Sequence, residues 1–183
     1  MKSDLCKKLL FLFFFSALTP FAVKADIVDS SAAGFTVRKT ITIAKSSPME
    51  VYRHLVDDVG KWWNSAHTYS RSAANLSIED KAGGAFREKL ADGGSVQHMT
   101  IVYAEPGKAL RMTGGLGPLQ GLAVNGSMTW SLSQTAGGTK LEVEYTVGGY
   151  RPGGMGSWAA PVDKVLSEQV TRLKHFIEYG KPE

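Results

Sequence analysis

Glu88 is the side chain whose position most needs explaining. In the run Ala85-Phe86-Arg87-Glu88-Lys89-Leu90, strand alternation puts it on the side of Phe86 and Leu90, while Arg87 and Lys89 face away. A carboxylate on an apolar face needs a partner or a raised pKa. Glu88 would therefore bind a ligand hydroxyl or act as a general acid or base, and a glutamate that reaches water beside its hairpin is the alternative. The remaining chemistry-bearing residues form few patterns. His54, His67, His98 and His175 are scattered without metal-site spacing. His67, close to Tyr69, lies in a polar stretch that would rim a cavity or simply be solvated, and His175 falls on the polar face of the last segment.

No serine has glycines two residues away on both sides, so there is no nucleophile elbow. Glu142 and Glu144 alternate outward with Lys140 and do not form a catalytic carboxylate pair. Gly115-Leu116-Gly117-Pro118-Leu119-Gln120-Gly121 has neither the spacing nor the following helix of a phosphate loop, and is expected to form a flexible lip. Nothing in these patterns asks for a cofactor or a metal.

Positioning such residues requires elements, and the sequence supplies them in a clear order. Phe35, Val37, Ile41 and Ile43 alternate with Thr36, Arg38, Thr40 and Thr42, the period of a strand with one buried face. Ser47-Pro48-Met49-Glu50 then has the form of a capping box with proline in the first turn. A short helix through Val51, Leu55 and Val59 follows, broken at Gly60 before a second turn with Trp62 and Trp63. Gly83-Gly84, Asp92-Gly93-Gly94 and Gly137-Gly138 punctuate a meander with strands at 76–80, 85–90, 97–104, 109–113, 124–132 and 140–147, which makes seven in all. The last segment changes period: Trp158, Val162, Val165, Leu166, Val170, Leu173, Phe176 and Ile177 share one helical face. At about 1.5–3 kcal/mol for each side chain fully buried, such a helix is integral to the core.

The first 25 residues are of another kind. Lys2, Lys7 and Lys8 precede an unbroken apolar run from Leu9 to Ala17, too short to span a bilayer and followed by Val23-Lys24-Ala25. This is the pattern of a secretory signal peptide cleaved after Ala25, with an uncleaved anchor as the alternative. It predicts an exported, periplasmic or secreted protein that is not stably inserted in a membrane after cleavage. Removing residues 1–25 lowers 21 basic and 17 acidic residues to 17 and 16, a net charge of +1, and takes away Cys6, the only cysteine. The mature chain thus has no thiol chemistry and no basic excess suited to nucleic acid. Residues 26–34 are small and polar, and are expected to form a flexible lead-in to a single domain over 35–180.

The order of strand, short helix pair, meander and long terminal helix resembles a known superfamily. The residues that carry the likeness are Ser47-Pro48 with Val51-Tyr52, Trp62-Trp63, Gly83-Gly84-Ala85-Phe86, Ala104-Glu105-Pro106 before Leu110, Gly138-Thr139-Lys140-Leu141, and Gly149-Tyr150 leading to Trp158. Together they resemble the START-like, birch-pollen-allergen-like group, often called SRPBCC, and within it polyketide-cyclase-like and heat-shock ATPase-activator-homologue domains. The likeness covers about 35–177 and implies an α+β helix-grip fold: a seven-stranded curved antiparallel sheet wrapped around the C-terminal helix, with two short helices after the first strand. It also implies a cavity between the concave sheet face and that helix.

The strand faces agree with such a cavity. Val124, Met128, Trp130 and Leu132 share a face with Gly126 in their midst, as do Leu110 and Met112; Met99, Ile101 and Tyr103; and Leu141, Val143, Tyr145 and Val147. Methionines and aromatics suit a pocket for a flat or greasy molecule, although the same residues would also fill a solid core. The candidate lining is Trp63, Phe86, Glu88, Ile101, Tyr103, Met112, Met128, Trp130, Tyr145, Trp158 and Leu166, with Glu88 and Tyr145 as polar anchors. Three functions follow: an exported protein that binds a small hydrophobic molecule, a cyclase or dehydratase in which Glu88 moves a proton on a substrate held against Trp130 and Trp63, or a module that binds another protein through its surface.

Overall fold

A computed structural model describes residues 26–183; the signal peptide expected over 1–25 lies outside the described residues. The elements run β1 (Asp26–Ser30), β2 (Gly34–Ala44), α1 (Pro48–Asp57), α2 (Val59–Trp62), β3 (Leu76–Ile78), β4 (Ala85–Lys89), β5 (Ser95–Glu105), β6 (Ala109–Thr113), β7 (Ala123–Thr135), β8 (Gly138–Tyr150) and α3 (Ala159–Tyr179). All eight strands form one antiparallel sheet in the order β1-β2-β8-β7-β6-β5-β4-β3. This is the α+β helix-grip arrangement, with one strand more than the seven expected.

The extra strand corrects the flexible lead-in. β1 pairs with β2 from Asp26 opposite Arg38 to Ser30 opposite Phe35. Its bonds are main-chain bonds at a sheet edge, and Ile27 and Val28 stay exposed, so no buried face marks it in the sequence. The helix break is also displaced. α1 ends at Asp57 and α2 resumes at Val59, so Asp58 makes the break and Gly60 lies inside α2. A side chain at Gly60 would stand 3.0 Å from the carbonyl of Ala73, so glycine there allows α2 to approach the next segment.

α1 begins where its capping signal says, with the Ser47 hydroxyl accepting from the Glu50 amide at 3.2 Å. α3 stops at Gly180, whose left-handed φ of 74° lets its N–H reach the Phe176 carbonyl. Along the face of α3, Leu166, Val170 and Leu173 are buried, whereas Trp158, Val162, Val165, Phe176 and Ile177 are half-buried. The same face also buries Asp163 and Gln169. Asp163 is paired with Lys39, a wholly buried lysine whose place in the alternation of β2 is between Val37 and Ile41. Among the described residues, no helix is long and apolar enough to cross a membrane.

Candidate functional site: a cavity beneath a glycine-rich lip

The middle of the concave sheet face is filled. Ile101, Leu110, Met112, Met128, Trp130, Val143 and Tyr145 are all buried there, and the void bordered by Met112, Met128 and Trp130 measures only about 10 Å³. That is room for at most a single water. The usable space lies instead near the start of α3, in a cavity of about 270 Å³. Four walls enclose it. Trp63, Ala66, His67, Thr68 and Tyr69 come from the segment after α2; Leu76, Phe86 and His98 come from β3, β4 and β5. Leu116, Gly117, Pro118 and Leu119 form the lip, and Trp158, Pro161, Val162, Val165 and Leu166 close the side toward α3. The half-burial of Val162 and Val165 therefore reflects the cavity they border.

Each wall is fixed by identifiable bonds. The Asn64 amide donates to Oε1 of Gln169 at 2.9 Å, and His67 Nε2 lies 3.0 Å from Oε2 of Glu168, so α3 holds the segment after α2 from one side. Trp63 Nε1 donates to the His67 carbonyl at 3.2 Å, and its ring meets Phe86 edge-on at 5.6 Å. The lip is a single short helical turn at Gly117–Gly121 that buries Leu119. Tyr145, deep in the sheet, donates from its hydroxyl to the Gly114 carbonyl at 2.9 Å and accepts from the Leu116 amide at 3.0 Å. Burial pushes that phenol up to about 12. The Tyr145 ring lies over Gly126, where a Cβ would stand 2.5 Å from Cε2. Across the mouth, the Tyr69 hydroxyl donates to the Gly117 carbonyl at 3.0 Å.

Glu88 lies behind the cavity wall, fully buried. Its Oε2 accepts from the Tyr69 amide at 3.1 Å and lies 3.0 Å from Nε2 of His98, while Oε1 accepts from the Ser70 amide. Burial alone would raise this carboxyl, but hydrogen bonds from Ser70, Tyr69 and His98 outweigh it and hold Glu88 below the usual carboxylate range. An ionised Glu88 accepts only, so the proton of a neutral His98 sits on Nε2. Burial lowers the pKa of His98, with Glu88 opposing in part, which favours the neutral ring. That ring is stacked against Tyr69 at 6.0 Å and tilted against Phe86 at 5.0 Å.

The fold recurs in solved structures. A conserved protein of unknown function from Enterococcus faecalis superposes with a TM-score of 0.58 at 18% identity, over 86% of this chain and 78% of its own. The Aha1 dimer from Colwellia psychrerythraea gives 0.54 at 19% identity over 80% and 98%. CalU16 from Micromonospora echinospora gives 0.54 at 17% over 88% and 87%. A comparison of the sequence with curated proteins finds no match. Residues 34–178 match the family described as polyketide cyclase / dehydrase and lipid transport. The chain belongs to this family. It is accordingly an SRPBCC protein, a superfamily domain built to bind hydrophobic ligands.

Of the residues expected to line the SRPBCC cavity, Trp63, Phe86, Trp158 and Leu166 do so. Met112, Met128 and Trp130 border only the small void, and Ile101 is packed in the core. Glu88 and Tyr145 are fully engaged by the protein itself, so neither is presented to the cavity as an anchor. Tyr103 points outward. A bulge between Ile101 and Tyr103 inserts Val102, and the Tyr103 ring lies exposed beneath the guanidinium of Arg111 at 5.7 Å. A second bulge explains the omission of His98. Phe86 pairs with Met99 but Arg87 pairs with Gln97, so His98 is the extra residue and turns inward beside Met99. Side-chain alternation around Met99 and Ile101 would have placed it outside. The loop position of His67 and Tyr69 was the one available signal for the mouth.

Proposed function

We propose that this chain is an exported binding protein that holds one small, largely apolar molecule in the cavity beneath the lip. The observation that carries the reading is the cavity itself: about 270 Å³ enclosed almost wholly by apolar side chains, beside a sheet centre that is otherwise packed solid. Its size falls just below the range of about 300–1,000 Å³ usual for ligand pockets, which suits a compact molecule or one end of a longer one. Family membership supports a hydrophobic ligand. Export rests on the first 25 residues, where lysines, a short apolar run and small residues before Asp26 follow in signal-peptide order.

The enzymatic alternative gains nothing from Glu88. Its carboxylate is held ionised and accepts from three protein groups, so near neutral pH it has no proton to give and no free oxygen turned to a substrate.

The test is a native mass spectrum of the purified mature protein, with an organic extract of the same sample. Wild type is expected to carry a discrete small mass, and Val165→Phe, which fills the cavity from α3, is expected to lose it while melting normally. A wild-type protein that arrives empty and takes up no apolar probe would rule the carrier out. N-terminal sequencing of protein recovered outside the cytoplasm is expected to begin at Asp26; an intact Met1 there would remove the cleavage site.

A further inference from the structure

The cavity and the small void at the sheet centre share one wall. Trp63, Phe86 and Leu116 border both the space of about 270 Å³ and the space of about 10 Å³, so these three side chains form the partition between them. Two of the three are pinned. Phe86, Trp63, Trp62 and Trp130 make a chain of ring contacts, with successive centroids 5.6, 5.5 and 6.4 Å apart, that runs from β4 past the end of α2 to β7. Trp63 and Phe86 are both buried, and the Trp63 indole is tied to the His67 carbonyl. Leu116 is of a different kind: it is an aliphatic residue of the lip, half-buried, and fixed through its amide, which donates to the Tyr145 hydroxyl. Beyond the partition the void meets Met112 and Met128, unbranched thioethers that adapt to a change in the space around them. The void is thus a continuation of the cavity, shut off by two rings and one aliphatic side chain.

We propose that Leu116 sets how long an apolar chain this pocket takes. At roughly 30 Å³ for each water-sized group, the cavity accommodates on the order of nine carbon atoms. A chain of that length ends against Leu116, Trp63 and Phe86, and the packed sheet centre behind them admits no more of it. Further methylenes stay in water at the mouth, where they add nothing to affinity. The ligand is thereby narrowed to a molecule whose buried apolar part is short, and the residue that limits it is the one member of the partition supplied by the lip. The inference rests on the carrier reading above and adds the length limit and its cause.

The probes are the n-alkanols from 1-hexanol to 1-dodecanol, with binding followed by calorimetry. In wild type, affinity is expected to rise about fourfold for each added methylene and to level off at about nine carbons. Leu116→Ala, which takes the branched end off the partition, is expected to extend the rise by about two or three carbons, and Leu116→Met, which restores the bulk, is expected to return the wild-type limit. A ¹³C label on the methionine methyl groups gives a second readout that needs no variant. In wild type, 1-nonanol is expected to move the Trp63 indole resonance and leave the Met128 methyl in place, whereas 1-dodecanol is expected to move the Met128 methyl in Leu116→Ala. An affinity that climbs unbroken to 1-dodecanol in wild type, a Met128 methyl moved by 1-nonanol there, or an unchanged limit in Leu116→Ala would overturn the role of Leu116 and leave the cavity standing. Failure of wild type to bind any of the alkanols would overturn the carrier reading and the length limit with it.

Discussion

At the scale of single residues, Glu88 and His98 form a buried pair whose charge state is written into the stability of the fold. Glu88 is held below its usual range in the folded chain, so its contribution is present above about pH 4.5 and is lost as pH falls through its lowered folded value. His98 is also lowered, from 6.5. The unfolded chain therefore takes up its proton first, and stability declines as pH drops from about 6.5 toward the folded value of His98. Urea titrations are expected to show wild type losing stability through both windows, with the upper loss missing from His98→Phe. Glu88→Gln replaces a charged acceptor of three bonds with a neutral amide and is expected to cost about 2–3 kcal/mol at pH 7. The order of residues gave notice of Glu88, since alternation put a carboxylate on an apolar face. It gave none of His98, because a bulge is a two-against-one pairing of main chains that leaves no mark in side-chain order.

At the scale of elements, the lip depends on one strand behind it. Tyr145 on β8 reaches past Gly126 to bond both Gly114 and Leu116, so a sheet residue positions a loop about thirty residues earlier in the chain. Tyr145→Phe keeps the ring and loses both bonds, at about 1–3 kcal/mol in all. Hydrogen exchange is expected to accelerate at the Leu116 amide, while the strand amides of β7 and β8 stay protected. Unchanged exchange at Leu116 would show that buried Leu119 suffices to hold the turn. The strands and helices themselves were largely legible, because periods of two and of 3.6 residues report directly which face is buried. β1 was not, since its residues contribute main-chain bonds at an edge and bury no side-chain face. The break at Asp58 was hidden by Gly60, whose absent side chain serves a close approach instead of a helix end.

At the scale of the whole molecule, sheet and helix are joined by more than apolar contact. Lys39 of β2 is wholly buried and paired with Asp163 of α3. Lys39→Met strands a buried carboxylate and is expected to lower stability by about 3–5 kcal/mol, while Lys39→Met with Asp163→Leu should recover most of it, because removing both charges leaves neither uncompensated. Thermal melts of the two variants beside wild type decide the matter. The overall architecture could be read from the order of elements, but the place of the cavity could not. Which inward-facing methionines and tryptophans interlock and which stand apart is a matter of volumes in three dimensions, and periodicity carries no volumes. The outcome is a division of labour within one domain, with tight packing where β6 and β7 face α1 and α2 and emptiness where lip, aromatic segment and first turns of α3 converge. Sequence drift consequently has two separate arenas. Under the carrier reading proposed above, an exchange at Pro118, which borders the cavity while staying exposed, is expected to alter which cargo is admitted at less cost to thermal tolerance than an exchange at buried Leu119, so taste and robustness are set by different positions.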